Sequence, residues 1–184
     1  DDGQKQVLGT VVPAGGGQKD GEMILEMLSQ HPQTAAFISI KLARRFVADN
    51  PPASLISKLS QVFSKSEGDT REMMRTLLKS DEFKASVGQK FKRPLEFFIS
   101  TMRVTGAEIR HTPRALTNQL RQMGQMPLMW SPPTGYPDYA DWWTTTSGML
   151  NRWNFALALT TGEVSGVEVD LPALVADAAS AQDM

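Results

Sequence analysis

Cysteine is missing from the 184 residues, and histidine is nearly so, with only His31 and His111. Without cysteine there is no disulfide, no thiolate-held zinc, no iron–sulfur cluster and no thiol nucleophile. Two histidines are too few for a histidine-rich metal centre, so neither a metal nor a cofactor is expected. Long apolar runs are missing too, and nothing approaches the ~20 residues of a membrane-spanning helix. The opening Asp1-Asp2-Gly3-Gln4-Lys5 lacks the apolar stretch of a signal peptide. A large excess of either charge is also absent. The formal net charge of −1 argues against a nucleic-acid partner.

What is present is ordinary for a globular domain with a real core: 41% hydrophobic and 21% charged residues. The charge is unevenly spread. Residues 71–121 carry 11 basic against 5 acidic groups, whereas residues 122–184 carry Arg152 alone against 7 acidic groups. Two readings are open: regions that attract one another inside the fold, or a basic face for an anionic partner.

Most of the chain has helical punctuation. Asp20 can N-cap a helix bearing Met23, Ile24, Met27 and Leu28. His31-Pro32 separates it from the next, where Ile38, Leu42 and Phe46 form the expected buried stripe. Asn50-Pro51-Pro52 precedes a third helix with Leu55, Ile56, Leu59, Val62 and Phe63. Asp69 and Glu72 have capping-box spacing, and Pro94, Thr112-Pro113 and Asp170-Leu171-Pro172 open later helices. Periodicity also returns at Met149, Leu150, Trp153 and Leu157.

The expected fold is all-α, an irregular bundle of about eight helices. An extended Gly-rich arm covers residues 1–19, where Val7-Leu8 and Val11-Val12 suit a short strand or extended chain, the helical domain 20–162, and an acidic tail with a short helix 163–184. Within the helical domain, residues 125–145 read as one long loop, with Pro127, Pro132, Pro133 and Pro137 among five of the chain's Trp and Tyr residues.

Candidate chemistry is sparse. The run Gly15-Gly16-Gly17-Gln18-Lys19 is followed by Asp20, where a phosphate loop needs Ser or Thr. His31 and His111 each precede or approach a proline at a helix junction and read as surface or capping residues. No Gly-x-Ser-x-Gly elbow supports a nucleophilic serine. Asp138 and Asp141 lie among aromatics and are the candidate acid–base pair, or else caps of a helix near Trp142. Arg44 and Arg45, with Lys41, Lys90, Lys92 and Arg93, suit anion binding or internal ion pairs to Asp49 or Glu96. Tyr136, Tyr139, Trp142 and Trp143 offer either a core plug or an exposed recognition surface.

Several segments together resemble one family. They are Lys5-Gln6-Val7-Leu8-Gly9 with Pro13-Ala14-Gly15-Gly16-Gly17; His31-Pro32-Gln33-Thr34-Ala35 with residues 41–49; and Arg93-Pro94-Leu95-Glu96-Phe97 with Arg103-Val104-Thr105-Gly106. Pro132-Pro133-Thr134-Gly135-Tyr136-Pro137 and Leu150-Asn151-Arg152-Trp153-Asn154-Phe155-Ala156 complete the set. Over residues 4–162 the chain resembles the C-terminal part of the bacterial family catalogued as domain of unknown function 1800.

The resemblance implies a fragment of a longer protein, in keeping with a start at Asp1 rather than Met. It implies an extracytoplasmic location, with the export signal in the preceding region, and often a sulfatase-like neighbour. It supplies no activity and no catalytic residues. Similar proteins often carry Cys before the Pro-Pro run, where this chain has Trp130-Ser131, which puts any thiol role in doubt. The expected function is binding or structural, through a protein or polysaccharide partner. The alternatives are a glycan or ester hydrolase and part of a larger catalytic unit.

Overall fold

The computed structural model describes residues 2–110 and 114–182, with side chains as far as residue 176 in the last helix. The chain divides into two compact units, Asp1–Lys90 and Phe91–Met184. Both are mainly helical, with ten helices and two small two-stranded sheets among the described residues.

The first unit opens with a hairpin rather than an extended arm. Strands β1 (Lys5–Val7) and β2 (Thr10–Val12) are antiparallel, with Val7 opposite Thr10. The two-residue turn holds Leu8 at φ 47° and Gly9 at φ 83°, so both lie in the left-handed region that a type I′ hairpin turn requires. Gly9 takes this conformation without a Cβ penalty, and Leu8 is left 68% exposed. The sequence lacked the usual Asn-Gly signal, which is why the hairpin read as an arm.

Helices α1 (Gln18–Ser29), α2 (Pro32–Phe46), α3 (Ala53–Lys65), α4 (Thr70–Leu78) and α5 (Asp81–Ala85) follow. His31 Nδ1 accepts from the Gln33 N–H at 3.1 Å and caps α2. Asp69 Oδ1 accepts from Arg71 N at 2.8 Å and caps α4, while Glu72 lies 3.7 Å from Arg75. Ser80 caps α5 through Phe83 N. Gly68, at φ 85°, ends the α3–α4 connection in the left-handed region.

The core of this unit joins Leu55, Leu59 and Phe63 of α3 with Met73 and Leu77 of α4 and a seam of small residues on α2. The seam corrects the expected α2 stripe. Ala35, Ser39 and Ala43 face inward, Ile38 and Leu42 flank them, and Phe46 is 38% exposed. Small residues let α2 approach α3 closely. Ser39 Oγ, fully buried, donates to Ala35 O at 2.7 Å and accepts from Ser60 Oγ at 3.2 Å. Helix α1 has no buried residue.

The second unit holds α6 (Pro94–Val104), β3 (Glu108–Ile109), α7 (Arg114–Gln122), α8 (Ala140–Trp143), α9 (Thr146–Thr160), β4 (Val167–Glu168) and α10 (Leu171–Gln182). Helix α8 lies inside residues 125–145, so that stretch is not one continuous loop. The helix count exceeds the expected eight in part because α8, at 4 residues, is too short to show a periodic stripe. The core contains Phe98 and Met102 of α6, Leu116 and Leu120 of α7, and Phe155 and Leu159 of α9. Phe98 stacks on Phe155 with ring centroids 4.8 Å apart.

Strand β3 pairs antiparallel with β4, and Arg110 Nη2 lies 3.0 Å from both the Glu108 and Glu168 carboxylates. Asp170 Oδ1 caps α10 through Ala173 N at 3.0 Å. His111 and Thr112-Pro113 lie outside the described residues.

Helix α9 turns an unexpected face inward. Its apolar residues Met149, Leu150, Trp153 and Leu157 are 45–73% exposed. Its buried face is Arg152, Phe155 and Leu159. A guanidinium therefore lies on the buried face, off the apolar stripe that spacing predicts.

Candidate functional site

Three segments that carry the family resemblance meet in the second unit: the start of α6, residues 136–138, and the first half of α9. At α6, Glu96 reaches back to the first turn. Its Oε2 accepts from Arg93 N at 3.0 Å, satisfying one of the amides a helix start leaves open. Arg93 Nε and Nη2 donate to Glu96 Oε1 at 2.9 and 2.7 Å, a forked charge-assisted pair. Asp138 Oδ1 stands 3.9 Å from Arg93 Nε. Buried Gln125 accepts from Leu95 N at 2.9 Å and ties the residues after α7 to the same helix start.

Arg152 rises from α9 beside this group and is 6% exposed. Nη1 donates to Lys92 O at 2.9 Å. The guanidinium carbon sits 4.5 Å from the Phe91 ring centre and 5.3 Å from that of Phe97, both within cation–π range. Nε and Nη2 are buried with no hydrogen-bond partner. Burial lowers the Arg152 pKa below its ordinary value, and the charge of Glu96 acts in the opposite direction. Phe91, Phe97, Met149, Trp153 and Ala156 line an apolar cavity of about 340 Å³ against Arg152.

The aromatic stretch is built in two tiers. In the lower tier, Trp143 is 5% exposed and its Nε1 donates to Pro137 O at 2.9 Å. Tyr136 donates its hydroxyl to Met126 O at 2.8 Å. The Tyr136 ring lies 4.7 Å from that of Trp130 and 5.8 Å from that of Trp143. In the upper tier, Trp142 is 54% exposed and meets Trp130 edge-on at 6.0 Å, and Tyr139 is 41% exposed. A groove of about 170 Å³ runs past Trp142 and is bordered by Gln122, Thr145 and Ser147. Gln122 O also accepts from Asn151 Nδ2, at 2.6 Å.

The candidate residues separate in this arrangement. Asp138 joins the Arg93–Glu96 group and is mostly buried, whereas Asp141 is exposed in the first turn of α8. Trp143 lies in the core, and Tyr139 and Trp142 lie outside it. In the first unit, Arg44 Nε donates to Asp49 O at 3.1 Å, Lys90 pairs with the Asp49 carboxylate, and Arg45 is half-buried. Lys41 lies 5.3 Å over Phe37 on the surface. Lys5 pairs with Asp20 at 3.4 Å beside the glycine run.

Sequence reasoning passed over Arg152 as a site residue. Its signal was available: the one basic residue in an acidic third of the chain, spaced 3 and 7 residues from Phe155 and Leu159.

Among the described residues no group of three His, Asp or Glu is placed to hold a metal ion, and no helix is long and apolar enough to cross a membrane. No curated protein and no solved structure matches the chain. A family model does, over residues 1–183, and its description is a protein of unknown function (DUF1800). The segments that meet around α6 and α9 are those that carried the resemblance, and the chain belongs to the DUF1800 family.

Proposed function

We propose that this chain is a binding module of an exported bacterial protein, and that it recognises a neutral surface polysaccharide through Trp142 and the groove beside it. The carrying observation is the two-tier aromatic construction. Trp143 and Tyr136 are packed and hydrogen-bonded below, and Trp130 packs against both the Tyr136 and Trp142 rings, so Trp142 is supported from below while half of it remains open to solvent. A fixed indole face suits the C–H face of a sugar ring, because little side-chain entropy is lost on binding. Gln122, Thr145 and Ser147 border the groove and bring amide and hydroxyl groups that suit sugar hydroxyls. The choice of a neutral polymer rests on local charge: residues 122–151 contain Asp138 and Asp141 and no basic residue.

The hydrolase reading receives less support. Asp138 lies 3.9 Å from Arg93 Nε in the group at the start of α6, whereas Asp141 is an exposed residue in the first turn of α8, so the two carboxylates have different surroundings. The test is retention of the chain on a panel of neutral and anionic polysaccharides. Trp142→Ala is expected to abolish retention on a neutral member while leaving the unfolding midpoint nearly unchanged. Equal retention of Trp142→Ala and wild type would overturn the proposal, as would no retention on any neutral member.

A further inference from the structure

Arg152 has donors that the fold leaves unused. A guanidinium carries five N–H groups, and here one nitrogen donates to Lys92 O while Nε and Nη2 are buried and unpartnered. Nε and Nη2 together form the edge of the guanidinium that accepts a carboxylate in a two-point, side-on pair. Against this residue lies the cavity of about 340 Å³ walled by Phe91, Phe97, Met149, Trp153 and Ala156. That volume falls in the range of small-ligand sites, roughly 300–1,000 Å³.

We propose that this cavity binds a small amphiphilic carboxylate, its carboxylate on Nε and Nη2 of Arg152 and its apolar body along Phe91, Phe97 and Trp153. The charge supports a monoanion. Arg152 alone presents buried, unpartnered donors here, whereas Lys92, the other cationic residue of the lining, is solvent-exposed and turned to Ser100 Oγ at 2.5 Å, so one desolvated guanidinium meets one negative charge. A phosphate would bring more charge into apolar walls than that cation offsets. The Phe91 and Phe97 rings lie within cation–π distance of the guanidinium carbon and accept no hydrogen bond from Nε or Nη2. Nε and Nη2 are covered in this structure, so entry needs a side chain of the lining to shift. Met149, 45% exposed and with three rotatable bonds, is the adaptable one.

The test is titration of the full chain with decanoate, 3-phenylpropionate and the neutral decanol, followed by Trp fluorescence and calorimetry. Saturable binding of at least one acid is expected, with decanol at least tenfold weaker than decanoate if the body is an acyl chain. The comparison between the two acids distinguishes an acyl from an aryl body. Ala156→Phe, which fills the cavity, and Arg152→Gln are each expected to weaken binding at least tenfold. Folding of each variant is checked by circular dichroism, and the result is read from whichever folds. Trp142→Ala is expected to bind the acid as wild type does, which separates this site from polysaccharide recognition. Absence of saturation by either acid up to about 1 mM would overturn the proposal. So would decanol binding as tightly as decanoate, or a folded Ala156→Phe chain binding like wild type.

Discussion

A guanidinium that is 6% exposed has given up its water, and Arg152 recovers one carbonyl and two aromatic faces in return. The two unpartnered nitrogens each carry a desolvation cost of about 1–3 kcal/mol. Replacement of a buried charge by an apolar side chain of similar length is often neutral or stabilising. Arg152→Met is therefore expected to unfold in urea within about 1 kcal/mol of wild type, or above it. A loss of several kcal/mol would mean that Arg152 serves the fold rather than a ligand. The two adjacent tryptophans divide in the same way. Trp143→Ala removes a buried ring and its hydrogen bond to Pro137 and is expected to cost about 3–5 kcal/mol. Trp142→Ala is expected to cost less than about 1 kcal/mol in the same unfolding measurement.

At the scale of elements, the seam between α2 and α3 is set by side-chain size. Ala43 is fully buried, so Ala43→Leu has to push the helices apart and is expected to lose about 1–3 kcal/mol by thermal or urea unfolding. Helix positions were legible in the sequence wherever a cap or proline coincided with a stripe, as at His31-Pro32, Asp69 and Asp170. Which face turns inward was less legible. Periodicity finds the most apolar stripe, but α2 buries its smallest residues, because a close helix crossing rewards small size over hydrophobicity. In α9 the apolar stripe is exposed and Arg152 is buried, since Phe91 and Phe97 supply faces for a cation that no local pattern announces. The β1–β2 hairpin was hidden by Leu8 at a left-handed position normally filled by Asn, Asp or Gly. The aromatic stretch was legible as a feature, whereas its separation into buried and exposed tiers depends on distant partners such as Met126 O.

For the molecule as a whole, charge is the property most easily tested. The basic and acidic stretches of the sequence are joined by specific pairs in the second unit, Arg93 with Asp138 and Arg110 with Glu168. A basic face for an anionic polymer is therefore not required to explain the uneven distribution. Polysaccharide retention is accordingly expected to change less than twofold between about 50 and 500 mM salt, a range that shortens the screening length severalfold. A steep fall with salt, measured on the same resin, would point to an anionic ligand instead.

The central claim is that Trp142 presents the recognition face, and the indole N–H signals of the four tryptophans report on it directly. In an NMR titration with the oligosaccharide of a retained polymer, the Trp142 signal is expected to shift saturably. The Trp143 signal, held on Pro137 O, is expected to stay in place. Saturable binding that moves Trp143 or Trp153 and leaves Trp142 unshifted would contradict the claim.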